Sequence, residues 1–310
     1  MIEVREAEEG DLGPLAELFE VEYGRGAQFW ERDLRHLLFS DYQHGRAVAM
    51  VAVVDGDAAA LECLVAWPLR AGGRELRSLQ SCRSLVGARA RGKGVFGALL
   101  EAAMKASAER GVDLLFGFPN PSSLGSFVRS GWTQVQSSTV FMRPLSARAR
   151  VAAPALRRRQ PQRADDLPSD PLAATAVTAD RQNGFGTWRA GLLDGSLYHT
   201  VFEGDGVAGR ACEMKVLEHK FGFRECVVGW MREPAGTALD AVVAAARTIG
   251  ADAVSIAVDE ATSWPVETPT VARPWLRTSR MRSLVVYAPN PSIALDELSW
   301  RIWPADADTW

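Results

Sequence analysis

Six consecutive residues, Arg91-Gly92-Lys93-Gly94-Val95-Phe96, carry the pattern in this chain with the most chemistry in it. Glycines let a backbone approach a ligand closely, and the free N–H groups where a helix begins favour an anion such as a pyrophosphate. Arg91 and Lys93 add positive charge there. The stretch is neither a GxGxxG dinucleotide fingerprint nor a GxxxxGK[ST] phosphate loop. Taken alone, it leaves open both an anion-binding loop and a glycine loop with surface cations. Other reactive side chains are scattered: Cys63, Cys82, Cys212 and Cys226, and His36, His44, His199 and His219, show no CxxC or HxxxH pairing. No metal site and no disulfide frame is therefore expected. Cys82 reads as a small core residue rather than a nucleophile, since no His is near it in sequence.

Such a loop needs a strand before it and a helix after it, and the flanking residues supply both. Leu76 to Val86 has strand character after a turn at Gly72-Gly73. Gly94 to Arg110 puts Leu99, Leu100, Ala103 and Met104 on one helical face and stops at Gly111. Leu114-Leu115-Phe116-Gly117-Phe118 is a short continuous apolar run, as in a strand covered on both faces. A helix from about Ser122 and a strand from Thr133 to Met142 follow. Upstream, Ile2 to Arg5 alternates at period two, and Asp11 precedes a helical series through Leu12, Leu15, Leu18 and Phe19. Ala47 to Val54 and Ala58 to Ala66 are joined by Asp55-Gly56-Asp57, which suits a tight hairpin.

The same order recurs later. Leu197 to Glu203 turns through Gly204-Asp205-Gly206 into Val207 to Val216, then come a strand Phe223 to Met231 and a helix Thr237 to Ile249 ended by Gly250. Strands at Ala253 to Val258 and Ser283 to Tyr287 complete it. A tandem duplication of one α/β unit is the expectation, with domains at 1–145 and 172–310 and a linker over 146–171. The linker holds six arginines from Arg148 to Arg163. No aromatic side chain interleaves them to stack on bases, so they read as a solvated connector. At 310 residues, 47 % hydrophobic and 24 % charged, the composition is that of a folded soluble protein with room for two cores. A net charge of −3 gives no field for a polyanion, so no nucleic-acid partner is expected. The absence of a run of about 18 uncharged apolar residues and the charged start Glu3-Val4-Arg5-Glu6 point to a cytoplasmic protein without a membrane partner.

These features together resemble the GCN5-related N-acetyltransferase superfamily. Its pyrophosphate motif runs Arg or Gln, two residues, Gly, one residue, Gly or Ala; Arg91 and Gly94 match, with Phe96 in the last small position. A second family block, an Asn followed eleven residues later by Gly and an aromatic, is matched by Asn120, Gly131 and Trp132. Phe118-Pro119-Asn120 with Phe96 is similar to a subgroup of tandem acyltransferases acting on amino-sugars and sugar-containing natural products. The resemblance covers Met1 to Met142, and the second half only by element order.

The resemblance implies tandem α/β folds, each a mostly antiparallel twisted sheet flanked by helices, and an enzyme that transfers an acetyl or longer acyl group from acyl-CoA to the amine of a small molecule. The strand before the loop would end at Leu85-Val86, leaving the Val86 backbone N–H to polarise the thioester carbonyl. Arg89, Arg91, Gly92, Lys93 and Gly94 would hold the pyrophosphate, and Val95, Phe96, Asn120 and Phe127 would line the rest of the acyl-CoA site. Direct transfer needs no covalent nucleophile and no metal. At position 127, seven residues after the Asn, many members have a Tyr that protonates the departing thiolate; Phe127 has no proton to give. For a base, His199 on the first strand of the second hairpin is the candidate, on the argument that its pKa lies near neutrality. Glu62, Glu75, Asp306 and Asp308 are the alternatives. In the second half, Met231 to Thr237 places Glu233 and Pro234 where the phosphate loop would be, so one CoA per chain is expected, with that half contributing to acceptor specificity. Trp264, Trp275, Trp300 and Trp303 either stack on sugar rings or belong to the core. A non-catalytic acyl-CoA or ligand-binding protein is the alternative that Phe127 suits.

Overall fold

A computed structural model describes residues 2–40, 45–152, 176–179, 198–202, 210–231, 236–259, 275–300 and 302. The chain opens with β1 (Ile2–Glu6) and two helices, α1 (Leu12–Tyr23) and α2 (Ala27–Phe39); sequence reading assigned no element to the second. A hairpin follows, β2 (Val48–Val54) and β3 (Asp57–Ala66). Asp55 at φ +55° and Gly56 at φ +93° form its two-residue turn, the conformation whose twist matches that of the strands. The expected strand 76–86 is β6 (Ser78–Val86), while Leu76 ends β5 (Arg74–Leu76), which forms a short hairpin with β4 (Leu69–Ala71). Then come α3 (Val95–Glu109), β7 (Leu114–Gly117), α4 (Leu124–Arg129) and β8 (Thr133–Pro144).

Within the expected linker, Ala147–Ala152 forms a short helix, α5, with Ala149 packed beneath β8 beside Met142; residues 153–171 lie outside the described residues. The second half contributes β9 (Ala176–Ala179), β10 (Tyr198–Phe202), β11 (Arg210–Glu218), β12 (Arg224–Met231), α6 (Gly236–Thr248), β13 (Ala253–Asp259), β14 (Leu276–Tyr287) and β15 (Ser299–Trp300). The strand expected at 283–287 thus begins seven residues earlier. The 204–206 turn lies outside the described residues.

Among the described residues, eleven strands form one sheet in the order β1-β2-β3-β6-β7-β14-β8-β13-β12-β11-β10. The order of elements repeats between halves, yet their strands are interleaved: β14, from the second half, lies between β7 and β8 of the first. A small sheet, β15-β9-β4-β5, is shared between the halves in the same way. In the first half, α3 covers one sheet face with Val95, Leu99, Leu100 and Ala103, and α1 and α2 cover the other with Leu15, Phe19 and Leu34. Two covered faces explain why β3 is buried at every position after Asp57. No helix of the described residues is long and apolar enough to cross a membrane.

An ion pair on a buried carboxylate ties the interleaved strands together. Glu225 on β12 receives Arg280 of β14 on both carboxylate oxygens, at 2.6 and 3.1 Å, and lies 2.8 Å from His219 Nε2. Burial pushes the Glu225 carboxyl up, but the hydrogen bonds from His219 and Arg280 and the Arg280 charge outweigh it, bringing the pKa from 4.5 to about 2. A carboxyl whose pKa is lower folded than unfolded contributes stability that is complete above the unfolded value and is lost as pH falls through the folded one. Thermal unfolding monitored against pH should therefore show a loss of stability between about pH 4.5 and 2, and Glu225→Gln should flatten that limb.

Candidate active site

The site is built where two neighbouring strands part. β6 and β7 run parallel, paired from Ser78 with Leu114 to Ser81 with Gly117. β7 ends there, whereas β6 continues to Val86, still paired on its other edge with β3. Gly117 permits the close approach at the last pair, since a Cβ on it would lie 3.2 Å from Ser81 Cβ. Beyond that pair a gap opens. The backbone of β6 facing it can be oriented from its neighbours: Gly87 N–H donates to the Ala59 carbonyl on the β3 side at 2.9 Å. Alternation then directs the Val86 N–H and C=O to the gap edge. Consistent with this, the Val86 carbonyl accepts a hydrogen bond from Arg91 Nε at 2.9 Å.

β6 is also bulged. Leu61 pairs with Leu85 and Cys63 with Cys82, so Arg83 and Ser84 together oppose Glu62, and Arg83 adopts φ +49°. Its guanidinium reaches α2, where Nε lies 2.8 Å and Nη2 3.3 Å from the Asp33 carboxylate, with Trp30 alongside at 6.0 Å. Both partners of this pair are largely withdrawn from solvent.

After β6, a turn of 3-10 helix over Ala88–Ala90 leads into a loop in which Gly92 and Gly94 have φ of +77° and +75°. A Cβ at either would meet nothing within 4 Å, so conformation rather than space demands glycine, and the backbone is open to a ligand. The first intrahelical bond of α3 runs from Ala98 N–H to Gly94 C=O. The N–H groups of Val95, Phe96 and Gly97 precede it, and no side chain caps the helix. An anion seated there gains hydrogen bonds and the positive end of a helix dipole.

This geometry corrects the register of the motif. The small positions are Gly92 and Gly94, so Arg89, Gly92 and Gly94 satisfy the spacing Arg, two residues, Gly, one residue, Gly. Phe96 instead starts α3 and packs against Phe127, ring centroids 5.5 Å apart. The two arginines are engaged by acids: Arg91 with Glu22 at 2.6 Å, and Arg89 with Asp57 at 3.1 Å. Lys93 is exposed and has no side-chain partner among the described residues.

Other expected residues fall unevenly around the gap. Phe127 is buried between Phe96 and Trp132, its ring edge 3.9 Å from where a Gly117 Cβ would be. Asn120 lies at the mouth, but its Oδ1 is used to start α4, accepting from Ser122 and Ser123 N–H at 2.9 Å each. Leu85 and Cys82 point to the α1–α2 core, and Val95 to the α3 core. His199 is not brought to the gap. Its strand β10 is an edge strand, seventh from β6 in the sheet order, roughly 30 Å away at the usual strand spacing. The two halves share one interleaved sheet, in which β10 lies far from β6. Glu75 is exposed on β5; Asp306, Asp308, Trp264 and Trp303 lie outside the described residues. Trp300 is buried beside Trp67, and Trp275 packs against the α6 core. Glu62, by contrast, is fully buried opposite the bulge, and Ser81 Oγ donates to its Oε1 at 2.6 Å. The Asp33–Arg83 pair went unread because nothing in either segment signals the bulge that joins them.

Solved structures share this architecture. A GCN5-related N-acetyltransferase from Anabaena variabilis aligns with a TM-score of 0.59 at 13 % identity, over 94 % of this chain and 73 % of that one. Another, from Kribbella flavida, gives 0.54 at 12 % identity over 93 % and 71 %. A tandem GNAT protein from the clavulanic acid biosynthesis pathway gives 0.50 at 12 % identity, over 94 % of this chain and 100 % of that one. No protein-family model and no curated protein sequence matches the chain. The fold is that of tandem GCN5-related N-acetyltransferases. Because the Arg83–Asp33 ion pair ties the bulge of β6 to α2, Asp33→Ala removes that tie and should lower the unfolding free energy by about 1–3 kcal/mol, measured by urea denaturation.

Proposed function

We propose that this chain is an acyl-CoA-dependent N-acyltransferase whose acceptor is an amine on a small molecule, an amino-sugar or sugar-containing natural product being the class suggested by the sequence resemblance. One observation carries the reading: the gap beyond Ser81 and Gly117, with the Val86 N–H turned into it, leads directly to the open Gly92–Gly94 backbone at the start of α3. Acyl-CoA supplies an acyl group activated as a thioester. The chain does the rest: amides around Gly92 to Gly94 and the first turn of α3 would hold the pyrophosphate, with Lys93 adding charge. The Val86 N–H would donate to the carbonyl oxygen as negative charge develops there. Arg91 and Arg89, now on Glu22 and Asp57, stand near enough in the chain to rearrange toward an anion.

Phe127 favours a second reading, acyl-CoA binding without transfer, because the phenol that would serve a leaving thiolate is missing at that position. Thiol release from acetyl-CoA in the presence of an amine panel separates the two: turnover supports transfer, and tight binding with no turnover supports the sensor. Calorimetric titration should give one CoA per chain. Gly94→Val forces a β-branched residue into φ +75° and fills the cradle, so CoA affinity should fall about 100-fold, or about 3 kcal/mol, with the far-ultraviolet circular dichroism unchanged.

A further inference from the structure

We infer that Glu62, Ser81 and Ser84 form a proton relay opening into the gap between β6 and β7, in which Ser84 meets the acceptor amine and Glu62 stores its proton. The inference rests on the acyl-transfer reading.

Glu62 is fully buried, on a strand whose neighbours Leu61, Cys63 and Leu64 are equally inaccessible. A carboxylate so placed is costly unless it is hydrogen-bonded, and Ser81 Oγ donates to its Oε1 at 2.6 Å. Ser81 has a single hydroxyl proton, which that bond uses. In the contact between Ser81 Oγ and Ser84 Oγ, 3.4 Å apart, Ser84 is therefore the donor, and its lone pairs are left to accept. Bonds of this kind are often long in sites without substrate and shorten on binding. Ser84 is half-buried and lies past the last β6–β7 pair, where the gap begins.

The serines meet only because β6 is bulged. Regular alternation would put residues 81 and 84 on opposite faces of the sheet. Arg83, at φ +49° and held by Asp33, takes up the extra residue and returns Ser84 to the face of Ser81. Phe127, beside Gly117, offers no proton acceptor. With the relay, the reaction balances without another reactant. The amine proton passes to Ser84 as Ser84 passes its own to Ser81 and Ser81 its own to Glu62. The amine lone pair forms the N–C bond, the C–S bond breaks with its electrons on sulfur, and the stored proton returns along the serines to the thiolate.

Glu62→Gln keeps shape and hydrogen bonding but cannot store the proton, and Ser84→Ala removes the contact group. With acetyl-CoA and an amine the wild type accepts, Glu62→Gln should lower kcat about 10²- to 10⁴-fold and abolish the rising limb of its pH profile. Ser84→Ala should lower kcat at least about tenfold, and both should bind CoA within about twofold of wild type by calorimetry. In the protein without ligand, the protonated-carboxyl infrared absorption gained on acidification should be smaller in Glu62→Gln than in wild type by the contribution of one carboxyl. If either variant keeps more than about a third of wild-type kcat with CoA affinity intact, the relay is overturned while acyl transfer stands. A wild type that releases no thiol with any amine overturns both. Should Glu62→Gln misfold, Ser84→Ala, at a half-buried hydroxyl, decides alone.

Discussion

Parallel pairing between β6 and β7 has to stop at Ser81 and Gly117, and much of the molecule is arranged around that stop. A strand that loses its neighbour exposes backbone donors and acceptors that elsewhere would have to be satisfied. Here the loss is confined to one short stretch, because β3 continues to pair with β6 as far as Val86 while β14 takes the far edge of β7. The exposed edge faces the glycine loop at the start of α3, so the unsatisfied groups of a parted strand and of an uncapped helix converge on one place. That convergence of donors is the feature on which the acyl-CoA proposal rests.

Holding two strands apart needs rigid supports on both sides. On one side the bulge at Arg83 and Ser84 is locked to α2 by the Asp33 carboxylate. On the other, β14 arrives from the far end of the chain and is tied through Arg280 to Glu225 on β12. The interleaving makes each half a structural part of the other. The second half, whose sequence lacks the glycine pattern, supplies the strand beside β7. This accounts for a duplicated architecture in which only the first half carries the glycine pattern.

Charge near the loop is arranged differently from what its composition suggests. Arg89 and Arg91 are held by Asp57 and Glu22, with the amides at the start of α3 and Lys93 beside them. Arginines that are already ion-paired help to order a positively charged loop.

Much of this was readable from residue order alone. The Asp55-Gly56 turn, the amphipathic α3 with its Gly111 stop, and the apolar run of β7 follow from local rules of φ, period and burial. So does the glycine loop, although its register was not: φ at Gly92 and Gly94, and the packing of Phe96 on Phe127, become visible only when the helix start is in place. The bulge at Arg83, the insertion of β14 beside β7 and the separation of His199 from the gap depend on which strand lies beside which. Pairing partners distant in sequence are chosen by the packing of whole layers, so no local pattern announces them. Sequence by itself determined most of the first half's strands and helices and the glycine loop, because those are set by neighbouring residues. Tertiary structure alone decided which side chains meet, because Glu62 and Ser81 are joined only by the pairing of β3 with β6.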